Sequence, residues 1–179
     1  MFARTARLTL RPGWPEDAPA LARAIAHESV VSMLARAPWP YAESDAAAFL
    51  AHWGDGTVPK FVILSHAGSY PRIIGGIGLT PDERGHEFGY WLTPDAWGLG
   101  YATEAGRAVL DAARHALGIR HVHAGHFVDN PASGRVLTKL GFRPTGRIEP
   151  RESRGRGGSA PCVLFELDLN PERAMPLAA

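Results

Sequence analysis

Apolar and polar residues alternate near the start of the chain in a pattern typical of a half-buried strand. The alternation covers residues 7–11, and Pro12 ends it. Apolar residues then recur at helical spacing over 16–26, where Leu21 and Ile25 share one face. The pattern therefore predicts a strand followed by an amphipathic helix.

A second helix and a run of strands are predicted next. Either Ser44 or Asp45 is a suitable N-cap for a helix that extends through Phe49 and Leu50 to Trp53. Turn-rich segments then separate three strand-like runs, Lys60–Ser65, Arg72–Leu79 and His86–Thr93. Short consecutive strands joined by turns favour an antiparallel meander.

The clearest helical pattern of the chain lies over residues 102–117. Gly118 stands where a C-terminal cap is expected, and a strand-like run follows over 119–128. A strand, a helix and a second strand in this order form a crossover connection. We therefore expect the strands 86–93 and 119–128 to be parallel neighbours with the helix packed on one face of the sheet.

The last third of the chain predicts one more helix and two more strands. The helix covers 131–140, and the strands cover 145–148 and 162–169. Between those strands, residues 151–158 are rich in arginine and glycine, which predicts an exposed loop. The tail after Asn170 is expected to be frayed.

Composition narrows the class of protein. A chain of 179 residues with 45% hydrophobic residues and a net charge of +1 is typical of one globular domain over 1–179, with no indication of nucleic-acid binding. The one cysteine, Cys162, excludes an intrachain disulfide, and the histidines show no metal-ligand spacing. No apolar run approaches the ~18 residues of a membrane span, so we expect a cytoplasmic protein without a membrane partner.

The stretch AWGLGYATEA, residues 96–105, places Gly98 and Gly100 at the entrance of a helix. The first N–H groups of a helix lack intrahelical partners and carry partial positive charge, so they bind anions. The dinucleotide pattern G-x-G-x-x-G fails because Thr103 replaces the third glycine, and the triphosphate pattern fails because no lysine lies nearby. The two glycines therefore form either a simple turn or a site where backbone amides hold an anion.

Three segments together resemble a known family. They are GYWL at 89–92, WGLGYATEA at 97–105 and DNPASGRVLTKLGF at 129–142. In this order they resemble the acetyl-CoA-binding core of the GNAT superfamily of N-acetyltransferases, and most of all its RimJ/RimL-type branch. The segments RLTLRP and PWPY fit the same branch, so the resemblance covers about residues 7–169.

The resemblance implies a fold and an activity. The fold would be the GNAT α/β fold, a mostly antiparallel mixed sheet of about seven strands with a central, splayed parallel pair and about four helices. The activity would be direct transfer of an acetyl group from acetyl-CoA to a primary amine, on a protein N-terminus or a small molecule. The alternative is a non-catalytic acyl-CoA-binding or regulatory module. Homodimers are frequent among similar proteins.

By the same resemblance, coenzyme A binds in two places. The glycine loop would hold the diphosphate, with Trp97 in a position where the family usually has glutamine or arginine. The end of the preceding strand would pair with the pantetheine amides, and Asn130 would bind the pantetheine arm, although an Asn before a proline also serves as a helix cap. The implied residues are Trp91, Leu92, Thr93, Trp97, Gly98, Leu99, Gly100, Tyr101, Ala102, Thr103, Asn130 and Ser133.

Acetyl transfer needs an uncharged amine and a way to stabilise the departing thiolate. His86 and Glu87 are the candidate bases; they are adjacent on a strand, so at most one faces the cleft. Glu87 is favoured because it shares a face with Gly89 and Trp91, but a salt bridge is an equally common role for such a residue. Ser133 occupies the position from which the family stabilises the thiolate, and it also suits a helix cap.

The acceptor site is the least determined part of the sequence. Trp39 and Tyr41 lie between the first helices, where the resemblance places the acceptor pocket. Trp14 and Trp53 are expected in the core instead. Nothing in the sequence identifies the acceptor amine, because the motifs describe the donor.

Overall fold

A mixed β-sheet of eight strands forms the centre of the computed structural model, which describes residues 1–53 and 57–170. The strands are β1 (Ala3–Arg4), β2 (Leu8–Arg11), β3 (Lys60–Ser65), β4 (Arg72–Asp82), β5 (Gly85–Leu92), β6 (His121–Phe127), β7 (Arg143–Ser153) and β8 (Gly158–Asp168). They lie in the order β1-β2-β3-β4-β5-β6-β8-β7. The tail after Asn170, predicted to be frayed, lies outside the described residues.

Helices cover both faces of this sheet. In the described residues they are α1 (Ala18–Ile25), α2 (Glu28–Val31), α3 (Glu43–Ala51), α4 (Tyr101–Leu117) and α5 (Pro131–Lys139), with 3-10 turns at Pro15–Asp17 and Pro94–Ala96. Ile63 packs in the main core with α4, whereas its neighbour Val62 packs in a second core with α1 and α3. Adjacent strand residues face opposite sides, so the two helix layers lie on opposite faces. None of the described helices has the length and apolar character needed to cross a membrane.

The predicted mixed α/β architecture is confirmed. Strands β1 to β5 are antiparallel neighbours, β5 and β6 form the predicted parallel pair, and α4 is the crossover between them. The described residues add one strand and one helix to the expected numbers. These elements, β1 and α2, are 2 and 4 residues long, too short to produce a periodic pattern.

The start of α3 differs from the prediction. The helix begins at Glu43, so neither Ser44 nor Asp45 is its N-cap. Asp45 instead lies in the first turn, where its carboxylate accepts a hydrogen bond of 2.9 Å from the Ala42 N–H. This contact, from the third helical residue back to the N-cap amide, is one half of a capping box, so Asp45 stabilises the first turn without being the cap. Trp53 lies beyond the helix end.

Of the two tryptophans expected in the core, only one lies there. Trp53 packs against the second core, and its Nε1–H donates to the Lys60 carbonyl at 3.2 Å. Trp14 is 46% exposed, with the Arg11 guanidinium 3.8 Å from its ring centroid. A cation–π contact at the surface thus replaces the expected burial.

The arginine- and glycine-rich segment 151–158 is the main correction to the predicted organisation. It forms the tip of the β7–β8 hairpin rather than an exposed loop. Ser153 is 1% exposed and donates to the Leu34 carbonyl at 2.7 Å, and Arg156 binds both carboxylate oxygens of Asp129 at 2.8 and 2.9 Å. The acceptors come from distant parts of the chain, so local composition could not reveal that this segment is docked.

Candidate functional site

A cavity of about 840 Å³ opens where β5 and β6 separate, and it continues toward α1 and α3. The two strands share one register pair, Glu87 with His123, and diverge beyond it. Glycines line the floor of the cavity, among them Gly76, Gly89 and Gly125. A Cβ built on Gly89 meets no atom within 4 Å, so this position faces open space. The divergence of the strands creates the cavity, and the missing side chain at Gly89 keeps its floor open.

The glycine loop has the geometry expected of an anion site. Gly98 and Gly100 have φ angles of +73° and +82°, which side-chain-bearing residues rarely adopt. The first hydrogen bond of α4 runs from the Glu104 N–H to the Gly100 carbonyl at 3.0 Å, so the amides of residues 101–103 have no intrahelical partner. The side chain of Tyr101 is buried in the main core, which fixes the start of the helix.

Arg7 is a basic residue at this loop that the sequence analysis missed. Its Nη1–H donates to the Leu99 carbonyl at 3.0 Å, and its Nε–H donates to Glu104 at 2.7 Å. The guanidinium also stacks 4.5 Å from the ring centroid of Tyr101. Arg7 also forms an ion pair of 2.6 Å with Glu104, so its charge is already balanced, and its role at the loop is to hold the Leu99 carbonyl. Arg7 lies 92 residues from Leu99 in the chain, so no local pattern could connect them.

Trp97 connects the loop to the end of β5. Its Nε1–H donates to the Leu92 carbonyl at 2.9 Å, while its ring is 48% exposed. The side chain that replaces the family's usual glutamine or arginine therefore holds the loop in place. Ala102 of the loop faces the cavity directly, and Thr103 is half-buried beside it.

The direction of the backbone N–H and C=O groups along β5 decides which residues can contact pantetheine, and these are not all of those expected. The Thr93 N–H donates to the Ile74 carbonyl at 2.8 Å, which places the polar groups of Thr93 toward β4. Backbone groups alternate in direction along an antiparallel pair, so those of Trp91 also face β4. The backbone groups of Tyr90 and Leu92 face the gap instead. The expectation that all of 91–93 would face a ligand therefore differs from the observed geometry.

Asn130 and Ser133 meet at the start of α5, on the other side of the gap. The Asn130 side-chain oxygen accepts from the Ser133 N–H at 3.2 Å, so Asn130 is the helix cap. Its amide NH₂ group is not used by that bond, and the residue lines the cavity. Asn130 can therefore cap α5 through its oxygen and donate to a ligand in the cavity through its NH₂ group at the same time.

Ser133 has a partner that the sequence analysis did not identify. Its Oγ is hydrogen-bonded to the Tyr90 hydroxyl at 2.9 Å, across the gap between β5 and α5. Burial raises the pKa of Tyr90 to about 12, so the phenol is protonated at neutral pH. The useful sequence signal is strand alternation: Tyr90 faces the opposite side of β5 from Glu87, toward α5.

The two candidate bases are separated by the sheet. Glu87 lines the cavity, where its carboxylate contacts Arg151 and lies 3.6 Å from Arg36. The hydrogen bond to Glu87 raises the pKa of Arg151. His86 lies on the other face of β5 and is not among the residues that line the cavity. Geometry thus places Glu87, in an ion pair, on the side that opens toward α1 and α3.

On that side, Tyr41 lines the cavity and Trp39 does not. Trp39 is 40% exposed and does not line the cavity, although the preceding residue, Pro38, does. Burial, together with the negative charge of Asp45, raises the pKa of Tyr41 to about 12. Phe49 and Trp53 complete an aromatic wall. Within the described residues, no cluster of His, Cys, Asp or Glu forms a metal site.

Comparisons with known proteins agree with this geometry. Residues 7–143 match the family model described as an acetyltransferase (GNAT) domain. The uncharacterized N-acetyltransferase YoaA of Bacillus subtilis is 39% identical over 78 residues, which cover 42% of this chain and 44% of YoaA. The match thus spans less than half of that relative. The uncharacterized N-acetyltransferase p20 of Bacillus licheniformis is 28% identical over 91% of this chain and 93% of p20.

Solved structures share the fold at low sequence identity. A GNAT-family acetyltransferase from Bacillus anthracis has a TM-score of 0.80 at 20% identity, over 95% of this chain and 99% of its own. The ribosomal-protein-S5-alanine acetyltransferase of Vibrio fischeri has a TM-score of 0.79 at 16% identity, over 95% and 97%. The self-immunity acetyltransferase MccE, solved with acetyl-CoA and AMP, has a TM-score of 0.76 at 18% identity, over 92% and 93%.

The glycine loop generates a direct test. We expect Gly100→Val to weaken coenzyme A binding at least about tenfold, because a branched side chain is strained at a φ of +82° and alters the amides at the start of α4. Isothermal titration calorimetry with coenzyme A measures the affinity. Gly118→Val is the matched control, since Gly118 caps the other end of α4 at a φ of +64°. Equal affinities of both variants and the wild type would contradict the anion-site assignment.

Proposed function

The chain belongs to the GNAT acetyltransferase family, and we propose that this acyltransferase moves an acetyl group from acetyl-CoA to a primary amine. The observation that carries the proposal is the continuity of one cavity. It runs from the helix entrance at Gly98, through the gap between β5 and β6, to the aromatic wall at Tyr41. A donor and an acceptor that enter from opposite ends therefore meet at the gap.

Acetyl-CoA fits the donor end of this cavity. The diphosphate would lie against the free amides at the start of α4, in a loop whose Leu99 carbonyl is held by Arg7. The pantetheine arm would follow the gap, where the backbone groups of Tyr90 and Leu92 and the amide NH₂ of Asn130 offer hydrogen bonds. The thioester would then lie near Ser133 and Tyr90, which line the same cavity.

The reaction needs two proton transfers. The uncharged amine nitrogen attacks the thioester carbonyl carbon, the C–S bond breaks, and the attacking nitrogen loses a proton. We assign that proton to Glu87, directly or through water, because Glu87 is the carboxylate of β5 that faces the acceptor side. The thiolate would receive its proton from the Tyr90–Ser133 pair, whose buried phenol remains protonated at neutral pH.

The acceptor is proposed to be a protein N-terminus or a small-molecule amine. The structural likeness to the S5-alanine acetyltransferase, together with the motifs of the sequence, supports placement in the RimJ/RimL-type branch. The likeness to MccE, which was solved with acetyl-CoA and AMP, supports acetyl-CoA as the donor. We keep the single domain over 1–179, the cytoplasmic location and the homodimer as predictions.

An activity assay tests the proposed function. We expect purified protein to release coenzyme A from acetyl-CoA when a panel of amines and N-terminal peptides is supplied, and mass spectrometry to find the acetyl group on the amine nitrogen. Tight coenzyme A binding without turnover on any amine would favour the alternative, a non-catalytic acyl-CoA-binding module.

The role of Glu87 has a separate test. We expect Glu87→Gln to lower kcat/KM at neutral pH by about tenfold or more and to change the pH–rate profile, with coenzyme A affinity preserved. Glu149→Gln is the control, because Glu149 also pairs with arginines but does not line the main cavity. An unchanged pH profile would leave Glu87 as a structural partner of Arg151 and move proton removal to water.

Tyr90→Phe tests the second proton transfer. We expect kcat to fall about tenfold or more with little change in the KM for acetyl-CoA, because the phenyl ring preserves packing against Phe88. Since the pKa of Tyr90 is about 12, the wild-type rate should show no loss from phenol ionisation below that range. Tyr70→Phe, at an 84% exposed position, is the control. Ser133→Ala should lower kcat less in the Tyr90→Phe variant than in the wild type. If it lowers kcat by the same factor in both, the two hydroxyls do not act as a pair.

A further inference from the structure

The acceptor half of the cavity carries an excess of positive charge. The charged side chains that line the cavity are Arg36, Asp45, Lys60, Glu87, Arg151 and Arg154. Arg151 and Arg36 share the single carboxylate of Glu87, while Asp45 accepts from the backbone near Tyr41. Over residues 1–53 and 57–170, neither Lys60 nor Arg154 has a carboxylate within ion-pair distance. Like charges around a cavity repel one another unless an anion lies between them.

Lys60 is held inside the wall rather than extended into solvent. Its Nζ lies 4.7 Å from the ring centroid of Phe49 and 5.1 Å from that of Trp53. Cation–π contacts of this kind orient an ammonium group but do not neutralise it. Burial, followed by the positive charge of Arg36, lowers the pKa of Lys60. Since no carboxylate of the described residues pairs with this half-buried ammonium, it is open to an anionic ligand.

The sheet register aligns Lys60 with the gap where transfer occurs. Lys60 is paired with Gly78 across β3 and β4, and Gly78 is paired with Gly89 across β4 and β5. Strands lie about 4.8 Å apart, so about 10 Å separates the Cα atoms of Lys60 and Gly89. Neither glycine carries a side chain that would block the space between these positions. A ligand of modest length can therefore contact Lys60 and reach the gap at the same time.

We propose that the acceptor is an amine that also carries a carboxylate, and that Lys60 binds this carboxylate while the amine lies over Gly89 at the gap. The inference rests on the proposed function and names its substrate class. Arg36, which lies 3.6 Å from Glu87, adds positive charge to the same side of the cavity. The rings of Phe49 and Trp53 cover the apolar part of the acceptor. Lys60 selects which acceptor binds and takes no part in the reaction itself, since it lies two strands away from the reacting atoms.

Matched pairs of acceptors test this inference. We propose to measure kcat/KM for unbranched ω-amino acids, from glycine to aminooctanoate, and for the corresponding carboxamides, each with saturating acetyl-CoA. We expect the wild type to prefer the acid over the carboxamide at least about tenfold at the best length, and the preference to decrease with added salt. The best length should be one that spans from the gap to Lys60.

Substitutions at Lys60 assign the preference to this side chain. Lys60→Met retains an unbranched apolar stem between the two rings, so we expect the ratio of kcat/KM for the acid to that for the carboxamide to fall to about one, with the KM for acetyl-CoA unchanged. Lys60→Arg should restore most of the preference, because it restores the charge. Lys139→Met, which removes the other lysine of the chain at an exposed position of α5, should retain the wild-type preference.

A binding measurement separates failure of this inference from failure of the proposed function. Calorimetric titration of the protein saturated with coenzyme A should show tighter binding of the acid than of its carboxamide, and Lys60→Met should abolish that difference. If no amine is acetylated but this difference is found, the acceptor subsite stands and the acetyl transfer fails. If the wild type acetylates or binds acids and carboxamides equally, or if Lys60→Met keeps the preference, the inference is overturned.

Discussion

The separation of β5 and β6 beyond a single register pair is the constraint on which the rest of the site depends. Had the two strands stayed paired beyond Glu87 and His123, their backbone groups would have satisfied one another and no cavity would exist. The divergence instead directs backbone groups of Tyr90 and Leu92 into the gap, where the Leu92 carbonyl accepts from Trp97 and the other groups require a ligand or water. The structure sustains this opening because the outer edge of each strand is fully paired, β5 with β4 and β6 with β8.

Glycines, which carry no side chain, determine the shape of the space that a ligand can occupy. Gly89 leaves open space on the floor of the cavity, and Gly98 and Gly100 give the glycine loop a left-handed backbone at the start of α4. Side chains from distant elements then supply the chemistry on both sides of β5. Glu87 faces the acceptor side, while Tyr90 faces α5 and Ser133, so the two proposed proton transfers take place on opposite faces of one strand.

Ion pairs connect the acceptor side to the donor side. Arg156, at the tip of the β7–β8 hairpin, binds Asp129, the residue before the Asn130 cap of α5. Arg151 on the same hairpin binds Glu87 on β5. One hairpin therefore braces both sides of the gap. The composition of segment 151–158 predicted an exposed loop because the partners of these arginines lie far away in the chain.

The sequence by itself determined the elements and the donor motif. Periodicity predicted α4 because its apolar pattern is long and regular, and a short apolar run between turn-rich segments predicted β3. The glycine spacing marked the loop of the proposed anion site, because its positive φ angles favour glycine. Only the tertiary structure brought Arg7 to the donor loop, Tyr90 to Ser133 and Lys60 into an aromatic wall, and only it placed Glu87 on the cavity and His86 away from it. The physical reason is that a sequence motif reflects the conformation of a short stretch of backbone. Charge pairing and burial depend instead on residues that come into contact only when the sheet has formed.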